Sequence, residues 1–189
     1  MERMIILASK SPRRKQILTE LGFEFEVNPS NYEEELPGGE FNPQMIEELA
    51  YNKAKEVAIR VDENSIILGA DTMVIHNSEV LGKPVSREDA FRMLRNLSGD
   101  RHYVVTGVAV IDNKTQAVYK THVITYVTLE SWTTEMINYY IDTFNPMDKA
   151  GAYGIQELPQ GYVKSVEGEF DNVVGLPSSV VKSLIENCL

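Results

Sequence analysis

The chain has 189 residues and a mass of 21.3 kDa, a length typical of one domain or of a single domain with two lobes. Apolar residues make up 43% and charged residues 24%, which argues against a disordered chain. The 28 acidic and 18 basic residues give a net charge of −10. This balance disfavours proteins that bind nucleic acid or an anionic membrane through a basic face.

The sequence contains a single cysteine, Cys188, so a disulfide within the chain and a cysteine-based zinc site are excluded. No apolar run approaches the roughly 18 residues needed to cross a bilayer. The apolar stretch near the N-terminus is too short for a signal peptide. We therefore expect a cytoplasmic protein.

The hydrophobic pattern predicts alternating strands and helices along the first half of the chain. Ser11 followed by Pro12 indicates a helix start, because serine caps free N–H groups and proline suits the first helical position. Gly22 indicates the end of this helix. The predicted elements are a strand at 4–8, a helix at 12–21, a strand at 23–27, an acidic loop at 28–42, a helix at 42–61, a strand at 65–75 and a turn at 77–78.

The second half of the sequence predicts a long hairpin and three helices. The β-rich segments 103–111 and 117–129 are joined by turn residues, which is typical of a hairpin. The helices are predicted at 86–97, 134–143 and 177–187. Together the two halves indicate an α/β protein with a mixed sheet.

Two charged residues interrupt apolar patterns. Asp71 falls inside a predicted buried strand, where a carboxylate is costly unless it is paired or binds a metal. It is either a site carboxylate, acting as metal ligand or general base, or an aspartate that caps a bulge or a strand end. Lys53 falls on the apolar stripe of its helix, so its ammonium either extends to water or meets an anion in a cleft.

Residues 9–15, with the sequence SKSPRRK, place hydroxyl and basic side chains at a helix start. Basic residues there oppose the helix dipole, and the free N–H groups of a helix start bind phosphate readily. The segment is therefore either a phosphate site or a solvated basic turn, but it is not a Walker A loop.

Three other positions have two interpretations each. The run Glu33 to Glu35 is either a solvated loop or a source of a metal-binding carboxylate. Lys83 is either a surface turn residue or a phosphate contact. Gln156 ends a glycine-rich segment. The segment is either a connector, or its Gln156 side-chain amide forms hydrogen bonds with the edge of a nucleotide base.

No GxSxG motif, activated Cys-His pair or HExxH motif occurs, so acyl transfer and zinc-protease chemistry have no support. What remains is a group of Lys and Arg side chains with carboxylates on an acidic protein. This combination suits a small polyanion held with a divalent metal better than a long nucleic acid.

Five ordered motifs closely resemble the Maf proteins, also called septum formation inhibitor proteins, which are nucleoside triphosphate pyrophosphatases. The motifs are LASKSPRR at 7–14, GADT at 69–72, GKP at 82–84, LSG at 97–99 and DKAGAYGIQ at 148–156, and the match ends with GLP at 175–177. The resemblance implies an ITPase-like (Maf/anticodon-binding-like) α/β fold, with a long mixed sheet, flanking helices and two lobes around a central cleft. It implies one domain over residues 1–189 and a homodimer.

The resemblance also implies cleavage of a nucleoside triphosphate between its α- and β-phosphates. Asp71 would be the general base, and Asp71 and Glu34 would hold Mg²⁺ or Mn²⁺. At three positions, Arg13, Thr72 and Gln156, the residues are similar to those of the branch that acts on dTTP and UTP rather than to those of the branch that acts on 7-methyl-GTP. The implied substrates are therefore dTTP and UTP, together with modified pyrimidine nucleotides. The residues implied to bind the phosphates are Ser9, Arg13, Arg14, Lys53 and Lys83.

The expected role is housekeeping of the nucleotide pool, with a link to cell-division arrest. The alternative is a non-enzymatic, nucleotide-binding regulator of septum formation. A pure sensor needs cations for phosphate but has little use for a buried carboxylate beside them. One departure from the family pattern is Glu157, which stands where the family often has glycine.

Overall fold

The computed structural model describes residues 3–33 and 41–189. No helix within these ranges is both long enough and apolar enough to span a membrane. The elements are β1 (Met4–Leu7), α1 (Pro12–Glu20), β2 (Phe25–Val27), α2 (Pro43–Ala58), β3 (Ser65–His76), β4 (Glu79–Leu81), α3 (Arg87–Leu97), β5 (Arg101–Asp112), β6 (Ala117–Leu129), α4 (Thr134–Phe144), three 3₁₀ turns (Pro146–Asp148, Ala150–Ala152, Ile155–Glu157), β7 (Val163–Glu167), α5 (Phe170–Val174) and α6 (Ser178–Glu186).

The strands form a mixed sheet of seven strands in the order β2-β1-β3-β5-β6-β7, with β4 beside β3. β1 runs parallel to β2 and β3, whereas β3–β4 and β6–β7 are antiparallel pairs. Asn77 and Ser78 join β3 to β4 with φ values of 50° and 67°, as a two-residue hairpin turn requires. The predicted α/β class with a mixed sheet is confirmed.

The chain divides into two compact units. Unit 1 comprises Met1–Thr72, Thr106–Val123 and Gly175–Leu189, and unit 2 comprises Met73–Val105 and Ile124–Val174. The single two-lobed domain with a central cleft, expected from the family resemblance, stays a prediction.

Helix α2 lies directly on the sheet of unit 1. A Cβ atom at Gly69 on β3 or at Gly107 on β5 would lie 2.2 Å from the carbonyl oxygen of Ala50 or Ile46, respectively. Only a hydrogen atom fits at these two positions, so the helix backbone approaches the strands closely. The buried residues that form this core are Ile6, Ala8, Ala50, Ala54, Val57, Ala58, Ile67, Ala109 and Ile111.

Element ends differ from the sequence predictions where strand pairing or length limits them. β2 begins at Phe25 rather than at residue 23, because Phe25 pairs with Ile5 near the start of the four-residue β1. α2 ends at Ala58, three residues early, and Val61 packs against the core from the following turn. β7 and α5 were not predicted, since segments of five residues carry too little periodicity.

The core of unit 2 combines aromatic rings with polar groups that donate hydrogen bonds. The Trp132 and Tyr162 rings meet edge to face, and the indole N–H donates to the Tyr162 carbonyl oxygen at 2.8 Å. The buried Asn172 amide donates to the Val104 carbonyl oxygen and to the Thr125 hydroxyl, both at 3.1 Å. These bonds hold strands and turns of unit 2 together without leaving the donors unpaired.

We expect Gly69→Ala to lower the free energy of unfolding by about 3 kcal/mol, because the new methyl group overlaps the backbone of α2. The matched control is Gly82→Ala, since a Cβ at Gly82 has nothing within 4 Å. Urea unfolding of both variants checks this. Equal stability of the two variants would contradict the close approach of α2 to β3.

Buried His102 makes the stability of unit 2 depend on pH. Burial lowers the pKa of His102 from 6.5 to about 4, and its ring Nδ1 has no hydrogen-bond partner in the described part of the chain. The unfolded chain therefore binds the proton more readily, and stability falls as the pH drops from about 6.5 towards 4. We expect a loss of about 2 kcal/mol between pH 7 and pH 4.5 that is absent in His102→Gln. Identical pH profiles of the two proteins would contradict this assignment.

Candidate active site

Asp71 and Lys53 form a buried ion pair in unit 1. Asp71 lies in the interior of β3, and its Oδ1 accepts a hydrogen bond from Lys53 Nζ at 2.7 Å. The side chains are 12% exposed for Lys53 and 11% for Asp71. The alternatives of a strand-end cap for Asp71 and of a lysine extended into water are therefore wrong.

The close packing of α2 explains why these two side chains meet. Gly69 and Asp71 are two residues apart on β3, so they share one face of the strand. Lys53 lies between Ala50 and Ala54, the two α2 residues that a Cβ at Gly69 would touch. Because α2 sits against Gly69, the lysine of the same helix segment reaches Asp71.

The Arg14 guanidinium links three segments of unit 1. It donates to the Gly175 carbonyl oxygen at 2.8 Å, to the Ser9 hydroxyl at 3.2 Å and to the Thr72 hydroxyl at 3.1 Å. The Thr72 hydroxyl also lies 2.9 Å from that of Thr106. Since Thr72 follows Asp71 directly, this network fixes the backbone beside the buried carboxylate.

Two members of the network were missed from the sequence alone. Thr106 is a fully buried hydroxyl within an apolar strand, a signal of the same kind as Asp71 but weaker because it carries no charge. Gly175 has a φ of +129°, which favours glycine, and its carbonyl oxygen accepts from Arg14. It lies in the GLP motif of the family resemblance, but nothing in the sequence linked it to Arg14.

The start of α1 carries the predicted basic turn. Pro12 is the first helical residue, and the Ser11 hydroxyl accepts from the Arg14 amide at 3.4 Å, which confirms the predicted cap. The Ser9 hydroxyl accepts from the Ser11 amide at 3.2 Å. Arg13 is half-buried in the first turn, which contains no acidic residue. The positive end of the helix dipole is thus not offset by an acidic side chain within this turn.

Lys83 and Gln156 belong to unit 2. Lys83 is exposed in the loop after β4, and Gln156 is exposed in the 3₁₀ turn Ile155–Glu157. Their two segments are joined by a hydrogen bond from the Gly151 amide to the Gly82 carbonyl oxygen at 3.1 Å. Glu34, the predicted second carboxylate, lies outside the described residues, as does Glu35.

The described residues contain no complete set of metal ligands. Among residues 3–33 and 41–189, no group of three His, Cys, Asp or Glu side chains could hold a metal ion. Asp71 offers one carboxylate, and the next residue, Thr72, accepts a hydrogen bond from Arg14 in the first turn of α1. This fits a hard cation such as Mg²⁺, which binds through one or two carboxylates and completes its shell with phosphate oxygens and water.

Comparisons with known proteins agree with the motifs. A family model described as Maf-like protein matches residues 4–188. The dTTP/UTP pyrophosphatase of Alkaliphilus metalliredigens is 46% identical over 177 residues, which cover 94% of this chain and 91% of the relative. The protein of the same name from Desulforamulus reducens is 45% identical over 177 residues, covering 94% and 92%. The resemblance inferred from the sequence is confirmed, and the chain belongs to the Maf family.

Proposed function

We propose that the chain hydrolyses dTTP and UTP, and also modified pyrimidine nucleotides, to the nucleoside monophosphate and pyrophosphate. The observation that carries this proposal is the buried Asp71–Lys53 pair. Burial of two charges costs desolvation free energy, and buried charge pairs of this kind are frequent at active sites. The names of the curated relatives, dTTP/UTP pyrophosphatase, support the substrate class.

In the proposed reaction Asp71 is the general base. A water oxygen forms a bond to the α-phosphorus, the bond from this phosphorus to the bridging oxygen breaks, and pyrophosphate leaves. Asp71 accepts the proton that the water loses. The hydrogen bond from Lys53 holds Oδ1 of the carboxylate, so Asp71 is oriented before the substrate binds.

Cationic side chains neutralise the triphosphate and the charge that builds on the leaving pyrophosphate. We assign this role to Arg13, Lys53 and Lys83. Lys53 has three N–H donors, and one of them binds Asp71. Ser9 lies before α1 and is the proposed hydroxyl donor to phosphate.

Arg14 has a different proposed role from the other cations. Three of its five N–H donors bind protein oxygens, on Gly175, Ser9 and Thr72. We therefore propose that Arg14 positions Ser9 and Thr72 and contributes its charge to phosphate binding at longer range.

A divalent cation, Mg²⁺ or Mn²⁺, belongs to the proposed activity. Asp71 and Glu34 would hold it together with the phosphates of the substrate. When bound, it supplies positive charge that offsets the negative charge of the phosphate oxygens.

Substrate choice is assigned to Arg13, Thr72 and Gln156. Thr72 is anchored by Arg14 and Thr106, so its position beside Asp71 is fixed. A cytoplasmic location and the absence of nucleic-acid partners stay predictions from composition and charge. A homodimer and a role in nucleotide housekeeping linked to cell-division arrest stay predictions of the family resemblance.

Asp71→Asn tests the proposed base. We expect turnover of dTTP to fall by about a thousandfold, because general-base catalysis contributes about 10²- to 10⁴-fold. The control is Asp142→Asn, which removes an exposed carboxylate that pairs with Arg87 on the surface. Circular dichroism and thermal unfolding confirm that both variants are folded. Near-normal turnover by Asp71→Asn would show that the assignment is wrong.

A nucleotide panel tests the reaction and its substrates. We expect metal-dependent release of pyrophosphate that favours dTTP and UTP over CTP, GTP, 7-methyl-GTP and ITP, measured with Mg²⁺ and with Mn²⁺. A preference for a purine would keep the reaction but overturn the specificity assigned to Arg13, Thr72 and Gln156. Nucleotide binding without any release would favour the non-enzymatic regulator instead.

A further inference from the structure

Three side chains of unit 2 form a polar cluster around the turn that carries Gln156. Tyr140 on α4 is fully buried, Lys149 is only 7% exposed, and Glu157 is half-buried. We call Tyr140, Lys149 and Glu157 the Tyr140 cluster. No step of the proposed reaction uses these residues, although a buried tyrosine hydroxyl and a buried ammonium both need partners.

The Tyr140 hydroxyl binds the chain on both sides of Gln156. It accepts a hydrogen bond from the Gly154 amide at 2.9 Å and donates to Glu157 Oε2 at 3.3 Å. Gln156 lies between these two residues, and a further bond from the Glu157 amide to the Gly154 carbonyl oxygen, at 3.0 Å, closes the turn. One hydroxyl on a rigid helix therefore sets the position of the turn.

Lys149 holds the carboxylate end of the cluster. Its Nζ lies 3.4 Å from Glu157 Oε2 and 3.0 Å from Asp148 Oδ1. Its alkyl chain fills the space beside Gly154, where a Cβ atom would come within 2.9 Å of Lys149 Cε. The lysine thus binds Glu157 and packs against the other end of the same turn.

Neighbouring residues anchor the segment further. The Tyr153 hydroxyl lies 2.6 Å from Nε2 of buried His102, and the Gly151 amide binds the Gly82 carbonyl oxygen at 3.1 Å. The backbone that carries Gln156 is therefore held at several points, while the Gln156 side chain itself is exposed. A side chain that projects from a fixed backbone loses less conformational entropy when it binds a ligand.

We propose that the Tyr140 cluster positions Gln156 for recognition of the pyrimidine base, so that Tyr140, Lys149 and Glu157 are positioning residues for substrate selectivity. The inference rests on the proposed function, in which Gln156 contacts the base. Glu157 is central to it, because its carboxylate accepts a hydrogen bond from Tyr140 and forms an ion pair with Lys149. Glu157, which stands where the family often has glycine, is thereby one of the residues that determine substrate selectivity.

Tyr140→Phe provides the first test, with kcat and KM measured for UTP and GTP. We expect KM for UTP to rise about three- to tenfold, with kcat nearly unchanged and a matching fall in the UTP/GTP ratio of kcat/KM. This magnitude corresponds to the loss of one hydrogen bond between Gln156 and the base. The matched control is Tyr139→Phe, because Tyr139 is adjacent on α4 and is 56% exposed. It should leave both constants unchanged.

A double variant separates positioning from a general loss of stability. If Tyr140 acts through Gln156, then Tyr140→Phe should have no further effect on the UTP/GTP ratio in a Gln156→Ala background. Glu157→Gln keeps an oxygen that accepts from Tyr140, so it should retain more selectivity than Glu157→Ala. This second pair keeps the test decisive if Tyr140→Phe folds poorly.

Three outcomes would overturn the inference in distinguishable ways. If Gln156→Ala lowers the UTP/GTP ratio but Tyr140→Phe and Glu157→Ala do not, the cluster does not position Gln156, and the proposed function stands. Additive effects on the UTP/GTP ratio in the double variant would show that the cluster affects selectivity independently of Gln156. If Gln156→Ala leaves the UTP/GTP ratio unchanged while the wild-type protein still releases pyrophosphate, Gln156 does not bind the base, and the inference is wrong. If the wild-type protein releases no pyrophosphate, the proposed function itself is wrong.

Discussion

The close approach of α2 to β3 at Gly69 is the constraint on which the candidate active site depends. A side chain at Gly69 would collide with the helix backbone at Ala50, and glycine alone lets the helix lie against the strand. At that separation Lys53 reaches Asp71 with a 2.7 Å hydrogen bond. The two side chains are only 12% and 11% exposed, so the packing around the contact holds the charged pair in place.

A buried ion pair contributes little to stability, because desolvation of the two charges offsets their attraction. In the proposed function its value is chemical. Lys53 orients the carboxylate of Asp71, and the network from Arg14 to Thr72 fixes the next residue along β3. Fixed charges and dipoles of this kind need no reorganisation during a reaction, which is the main source of electrostatic catalysis. Within unit 2, hydrogen bonds around Tyr140 hold the turn that carries Gln156.

Much of this could be predicted from the sequence. The mixed α/β fold, the start of α1 at Ser11-Pro12 and the turn after β3 follow from local periodicity and capping, which depend on neighbouring residues only. Asp71 stood out because a charge inside an apolar strand is costly, and Lys53 because it lies on an apolar helix stripe. Thr106 did not stand out, since a buried threonine needs only one hydrogen-bond partner to be satisfied.

The sequence by itself determined the membership of the Maf family, and it pointed to the residues proposed to carry the chemistry: a carboxylate inside an apolar strand and several cations. It also determined that these residues sit on strands, helix starts and turns. Only the tertiary structure decided the partners: Lys53 for Asp71, Gly175 and Thr72 for Arg14, and Tyr140 and Lys149 for Glu157. Those pairings join residues that are distant in the chain, and they depend on how closely whole elements pack, which no local pattern of residues encodes.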